Sequence, residues 1–135
     1  MEGSYIVAIA AHGCSLFCIF FDREKHILSS FPPGEVDKLI FADSDTWLVI
    51  ILSISLFSLL IETFFILKLI LPIQFNFFAL ISHTFACLIL LKFVVDEHPF
   101  NHFWISFGIF NCPQLIFLVY IFVKKYFLKI KWKLC

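Results

Sequence analysis

The sequence predicts an all-α integral membrane protein that crosses the bilayer four times, with its helices arranged as two antiparallel hairpins. The first observation is composition: of 135 residues, 61% are hydrophobic and 15% are charged, and the mean hydropathy is +0.99. Soluble domains contain about 45–50% apolar and about 25% charged residues. The second observation is length, because four apolar segments of about 17–21 residues each match a ~30 Å hydrocarbon core.

The four predicted spans cover residues 5–21, 47–67, 75–95 and 103–123. Lipid offers the backbone no hydrogen-bond partner, so spanning segments must be helices or closed barrels, and barrel strands are about half this length. Helices joined by short turns pack as antiparallel neighbours, which predicts the two hairpins. The one long connection, residues 22–46, contains the turn-forming string Phe31-Pro32-Pro33-Gly34. Together with the tail, these segments form one domain.

Charge predicts the orientation of the spans. The tail, residues 124–135, contains five lysines and no acid, whereas residues 22–46 contain six acids and three basic residues. Basic residues favour the cytoplasmic side of a membrane. We therefore expect cytoplasmic termini, an outer or luminal loop at residues 22–46, and a tail that lies on the anionic inner leaflet of the bilayer.

Three ionisable side chains inside the predicted spans are the main candidates for a site: His12, Glu62 and His83. At 1.5 Å per residue they lie about 8–12 Å inside the inner face, which allows Glu62 to contact His83 and His12 to join them. Such a set could relay protons, and with further ligands it could bind a metal. The alternative that we favour is hydrogen bonding between helices, which fixes their packing.

The fourth span carries two further intramembrane polar side chains, Asn111 and Gln114, on either side of Pro113. Proline removes one helix hydrogen bond and is expected to kink the span. The two amides can then bond to neighbouring helices or to the freed carbonyl group, so we expect packing contacts here.

Several functions are not expected from this sequence. Four of the five cysteines lie in apolar segments and the fifth is Cys135, which favours neither a disulfide framework nor a thiolate metal site. A nucleophile elbow, a phosphate loop and a metalloprotease helix are all absent from the sequence. We therefore expect a protein that is not an enzyme and that uses no cofactor, no metal and no nucleic acid.

An ordered set of short features carries a family resemblance. These features are Ala11-His12, Asp22-Arg23, the loop string Phe31-Pro32-Pro33-Gly34-Glu35-Val36-Asp37-Lys38, Leu48-Val49 and Leu52-Ser53 before Glu62, then His83, Trp104 and Pro113. In this order and spacing, from about residue 9 to residue 123, the chain resembles the transmembrane protein 107 family.

The resemblance implies four spans with cytoplasmic termini and a place in the ciliary transition zone. It implies a non-enzymatic role in assembling the Meckel syndrome-associated module of membrane and coiled-coil proteins. That module forms part of the barrier that controls ciliary membrane composition. No catalytic residue belongs to the family pattern, and Glu35 and Asp37 match it as candidates for loop contacts.

Two other functions stay open at this point. One is a small transporter or proton-conducting protein built around Glu62, His12 and His83. The other is an endoplasmic-reticulum membrane component, held there by the dilysine-like end Lys131-Trp132-Lys133-Leu134-Cys135.

Overall fold

The computed structural model describes residues 2–32, 34, 36–67, 71–96 and 99–126. About 90% of the described residues are helical, and they contain no strand. Within the described ranges, six α-helices follow one another: α1 Glu2–Phe21, α2 Arg23–Leu28, α3 Lys38–Leu67, α4 Ile73–Asp96, α5 Asn101–Ser106 and α6 Cys112–Tyr126. A π-helical turn, the π segment Phe107–Asn111, joins α5 to α6.

Four helical segments are long and apolar enough to cross a membrane: Gly3–Phe21, Lys38–Leu67, Ile73–Asp96 and Asn101–Lys125. Many of their large apolar side chains point outward; Val7, Phe57 and Ile116, for example, are each more than 60% exposed. Lipid solvates such side chains, whereas water would not. The predicted all-α class with four membrane spans is confirmed.

The helix α3 begins nine residues before the predicted span, at Lys38 rather than at Trp47. Asp37 Oδ1 accepts a hydrogen bond from the backbone N–H of Leu39 at 3.2 Å, and such a cap favours a helix start at this point. At 1.5 Å per residue, α3 is about 45 Å long, so its first turns extend beyond the ~30 Å hydrocarbon core. Much of the segment predicted as an outer loop is therefore helical, in α2 and in the start of α3.

The arrangement as two antiparallel hairpins is not confirmed. The backbone of α1 packs most extensively against α4, and less extensively against α3. Small side chains explain this close approach, because Ala8 and Ala11 of α1 face Thr84 and Cys87 of α4 across a shared groove. The thiol of Cys87 also lies 3.8 Å from the carbonyl oxygen of Ala8. Close packing thus joins the first span to the third.

A candidate intramembrane polar cluster

The inward faces of the four spans meet in a cluster of polar side chains. It consists of Tyr5 and His12 from α1, Glu62 from α3, His83 from α4 and Gln114 from α6. Each of the five is at most 2% exposed, and Glu62 and His83 are 0% exposed. We call these five residues the polar cluster. Every membrane span contributes at least one member.

His83 lies at the centre of the polar cluster. Its Nε2 atom is 3.0 Å from Glu62 Oε1, and its Nδ1 atom is 2.8 Å from His12 Nδ1. The Tyr5 hydroxyl donates a hydrogen bond to the same Glu62 Oε1 atom. Gln114 Nε2 approaches His83 Nε2 at 3.4 Å. The cluster is therefore a connected network rather than a set of separate contacts.

Electrostatics limits where protons can sit in this network. An ionised carboxylate in a dry interior must be paired, and here Glu62 has the Tyr5 hydroxyl and His83 as partners. If a neutral His83 donates from Nε2 to Glu62, its Nδ1 accepts from the Nδ1–H of His12. Gln114 Nε2 then touches His83 Nε2 without a hydrogen bond between the two nitrogens. Glu62 Oε1 therefore has two hydrogen-bond partners in the network, whereas Oε2 has none among the described residues.

Helical periodicity brings the α1 members inward. The buried positions of α1 are Tyr5, Ile9, His12, Leu16 and Ile19. Their spacing alternates between four and three residues, which places all five on one face of the helix. The same reasoning applies to Ala79, His83, Ala86 and Leu90 on α4. The polar side chains therefore occupy ordinary core positions of their helices.

The π segment sets the face that α6 presents to the bundle. The buried positions of the fourth span are Phe103, Ser106, Asn111, Gln114, Leu118 and Ile121. Their spacing alternates between three and four residues except for one step of five, from Ser106 to Asn111. That step coincides with the π segment, where the N–H of Cys112 bonds to the carbonyl of Phe107. One inserted residue thus rotates Asn111 and Gln114 inward.

Pro113 directly follows this turn, and the two features are physically related. Proline has no N–H and its ring clashes with the carbonyl four residues earlier in a regular α-helix. A wider π turn just before it relieves that crowding. The sequence predicts a kink at Pro113, whereas the structure shows a π segment.

The structure brings together four of the residues proposed from the sequence, namely His12, Glu62, His83 and Gln114. Asn111 is 4% exposed and lies in the π segment, one turn before Gln114. Asp37 is exposed and caps α3. Glu35 lies outside the described residues, as do the last nine residues of the lysine tail.

Tyr5 is the member of the polar cluster that the sequence did not predict, because it stands at the start of the first span. Its hydroxyl group contacts Glu62, and its ring lies 5.9 Å from the ring of His83. A usable signal was present in the sequence. Tyr5 precedes His12 by seven residues, which is two helical turns, so both side chains lie on the same face.

The chemistry open to the polar cluster is hydrogen bonding and proton sharing. Phenol, carboxylate and imidazole groups can all exchange protons with one another over such distances. Among the described residues, no group of three or more His, Cys, Asp or Glu side chains is placed to hold a metal ion. In the dry interior, the arrangement links four helices through side chains that have few alternative partners.

A second set of polar contacts lies where α2 meets the first turns of α3. Arg23 Nε is 2.6 Å from Asp45 Oδ1, and the guanidinium also lies 5.3 Å from the centre of the Phe20 ring. The backbone N–H of Phe100 bonds to Ser30 Oγ at 3.0 Å. The first contact ties α2 to the start of α3, and the Phe100–Ser30 bond ties the segment before α5 to the segment after α2.

The fold and the site define a multi-pass helical membrane protein whose four spans are joined by a buried polar network. The family model TMEM107, described as a transmembrane protein, matches residues 3–122. The chain therefore belongs to the TMEM107 family. Neither a curated protein nor a solved structure matches it.

Proposed function

We propose that this protein is a non-enzymatic component of the ciliary transition zone. There it helps to assemble the Meckel syndrome-associated module and the barrier that controls ciliary membrane composition. The observation that carries this proposal is membership of the TMEM107 family over residues 3–122. Its partners are then other transition-zone membrane and coiled-coil proteins.

The shape of the molecule supports partners that bind within the membrane. Most of the described chain is membrane-length helix, and the connections between helices offer little surface to water. A groove of about 660 Å³ between α1 and α4 is lined largely by small residues, among them Gly3, Ala8, Ala11 and Thr84. Small side chains let a neighbouring helix approach closely.

Localisation and partner retention test the proposal. A tag at the endogenous locus should concentrate at the base of the cilium. Cells that lack the protein should lose a subset of transition-zone membrane proteins from that place and admit non-ciliary membrane proteins. A reticular distribution of the tagged protein, with all such partners still in place in its absence, would favour the endoplasmic-reticulum alternative.

A pair of variants ties that test to the groove. Ala11→Leu fills the groove between α1 and α4, whereas Cys14→Leu enlarges an exposed side chain of α1 that does not line it. Partner retention should fall with Ala11→Leu and stay unchanged with Cys14→Leu, at equal protein levels. Equal retention with both variants would contradict binding through this groove.

The proposed orientation places both termini in the cytoplasm and α2 on the other side. The charge distribution supports it, with five lysines in residues 124–135 and six acids in residues 22–46. A cysteine at the exposed position Glu24 should react with an impermeant reagent from outside or from the lumen, after the native cysteines are replaced. A terminal tag should be reached only after permeabilisation. Reaction of the tag alone in intact cells would contradict this orientation.

Proton conduction is the competing use of the polar cluster. Conduction requires water to reach the cluster from both sides of the membrane. All five side chains are at most 2% exposed, which favours a packing role for them. Proton flux in liposomes that contain the purified protein, if abolished by Glu62→Gln, would favour conduction instead.

A further inference from the structure

A cleft opens between the start of α3 and the start of α5, at some distance along the chain from the polar cluster. It is lined by Asp43, Ser44, Trp47, Phe100 and Trp104, and its volume is about 460 Å³. We call it the tryptophan cleft. Small-molecule sites commonly have volumes of roughly 300–1,000 Å³. The cleft is therefore large enough for a small polar group.

Three aromatic rings and one carboxylate give the tryptophan cleft a definite chemistry. The Trp47 and Trp104 rings lie 6.4 Å apart between centroids and are tilted by 59°. Cation–π attraction operates within roughly 6 Å of a ring centroid. A cation in the cleft can therefore be attracted by both rings at once. Asp43 makes no ion pair or hydrogen bond with any of the described residues, so its charge is available to a bound cation.

The two tryptophan rings of the cleft are not covered by the protein. Trp47 is 50% exposed and Trp104 is 43% exposed, although both are large aromatic side chains. The backbone N–H of Phe100 bonds to Ser30 Oγ at 3.0 Å and to the carbonyl of His26 at 3.3 Å, which fixes the third wall. The aromatic surface of the cleft is thus accessible to a ligand.

The position of the cleft identifies the source of the cation. Apolar sequence in α3 begins at Trp47, and tryptophan prefers the headgroup level of a bilayer. Asp43 lies one helical turn before Trp47, and it is therefore about 6 Å farther from the hydrocarbon core. The carboxylate and the rings therefore lie at the depth at which lipid headgroups place their cationic ends.

We propose that the tryptophan cleft binds the trimethylammonium group of a phosphocholine lipid headgroup. The rings contact the methyl groups and Asp43 neutralises the charge. Quaternary ammonium ions suit aromatic cages, whereas a primary ammonium is compact and strongly hydrated. The Ser44 hydroxyl, which lines the same cleft, can donate a hydrogen bond to the adjoining phosphate. This proposal does not depend on the ciliary role.

An N-methylation series of lipids tests the proposal. The purified full chain is exchanged into phosphatidylethanolamine, its N,N-dimethyl derivative and phosphatidylcholine with identical acyl chains, and retained lipid is measured by native mass spectrometry. Retention should rise with each methylation step. We expect phosphatidylcholine to be retained about threefold or more over phosphatidylethanolamine, since each exposed ring contributes about two- to fivefold.

Three variants locate the effect. Trp47→Leu should reduce the preference for phosphatidylcholine at least about twofold, the scale of one exposed cation–π contact. Asp43→Asn should reduce the amount of phosphatidylcholine retained, because it removes the charge that neutralises the ammonium group. Phe57→Leu should leave both quantities unchanged, because Phe57 is 64% exposed on the same helix but lies away from the cleft. Asp43→Asn keeps the aromatic walls intact, so it gives an answer even if Trp47→Leu does not fold.

Each remaining outcome overturns the proposal. Equal retention of the three lipids would show that the cleft does not recognise methylated ammonium. A preference that survives Trp47→Leu, phosphatidylcholine retention that Asp43→Asn leaves unchanged, or a preference that Phe57→Leu removes as well would place lipid selection elsewhere. A partner protein that excludes phosphatidylcholine from wild-type protein but not from Trp47→Leu would make the cleft a protein interface.

Discussion

Two of the ion pairs among the described residues join a carboxylate to a basic side chain in opposite surroundings. Glu62 and His83 are 0% exposed, and each is held by at least one further polar partner. Arg23 and Asp45 are closer, at 2.6 Å, but their side chains are 37% and 31% exposed. Water can replace either partner of the exposed pair and neither partner of the buried one. The shorter contact is therefore the less consequential of the two.

The difference also shows in how each pair is connected. Glu62 and His83 belong to a network that includes all four spans, so the loss of one member leaves other groups unpaired in a dry interior. Arg23 and Asp45 join α2 to the start of α3. We infer that the buried network determines how the spans pack, whereas the exposed pair affects only how α2 lies against the start of α3.

The largest effect is expected from a change of register in the fourth span. Deletion of Ile116 rotates the part of the helix after it by about 100° relative to the part before it. Either Gln114 on one side, or both Leu118 and Ile121 on the other, should then turn away from the bundle. Loss of the network or of that packing should cost about 3 kcal/mol or more. The stability of the purified protein in mixed micelles, measured by denaturant titration, checks this.

Deletion of Ile109 is the matched control for that change of register. It removes the extra residue of the π segment and restores the regular spacing of three and four residues, so Asn111 and Gln114 should stay inward. Its cost should be smaller than that of deleting Ile116 and should come from the crowding that returns at Pro113. If the two deletions were equally damaging, the π segment would not be what orients Asn111 and Gln114.

His83→Leu should be the most damaging single substitution in the polar cluster. It removes the side chain that contacts Glu62, His12 and Gln114, and it leaves a buried carboxylate without its imidazole partner. We expect a loss of about 3–5 kcal/mol in the free energy of unfolding. Phe85→Leu, at a 55% exposed position on the same helix, is the control and should be close to wild type.

Glu62→Gln should be better tolerated than Glu62→Leu. The amide oxygen of Gln can still accept hydrogen bonds from Tyr5 and His83, whereas Leu leaves both donors unpaired. The difference between the two variants should be about 1–3 kcal/mol in the same denaturant titration. A functional loss with Gln but not with Leu, at normal protein levels, would point to a role for the charge itself.

Asp45→Asn completes the comparison, because it makes the same chemical change as Glu62→Gln in the exposed pair. We expect it to cost less than about 1 kcal/mol at low salt, and nearly nothing at high salt, where screening weakens exposed pairs. An effect of Asp45→Asn that matched that of Glu62→Gln and persisted at high salt would show that exposure does not separate the two regions.

Much of the polar cluster could be predicted from depth along the spans. His12, Glu62 and His83 lie at similar distances from one membrane face, and helices of fixed rise place residues of equal depth side by side. Gln114 was a candidate for its polarity alone, and its inward orientation depends on the extra residue in the π segment. Tyr5 was overlooked because a tyrosine near the start of a span ordinarily lies in the interface.

The sequence by itself determined the class of this protein, its four spans and its family. Apolar segments about 20 residues long in a chain with few charges leave helices across a bilayer as the solution, since lipid cannot satisfy an open backbone. Tertiary structure alone decided that α1 packs closest to α4, that α3 extends to Lys38, and that a π turn rotates α6. Those features depend on how small side chains, a helix cap and a proline fit against their neighbours, and local sequence pattern does not encode that fit.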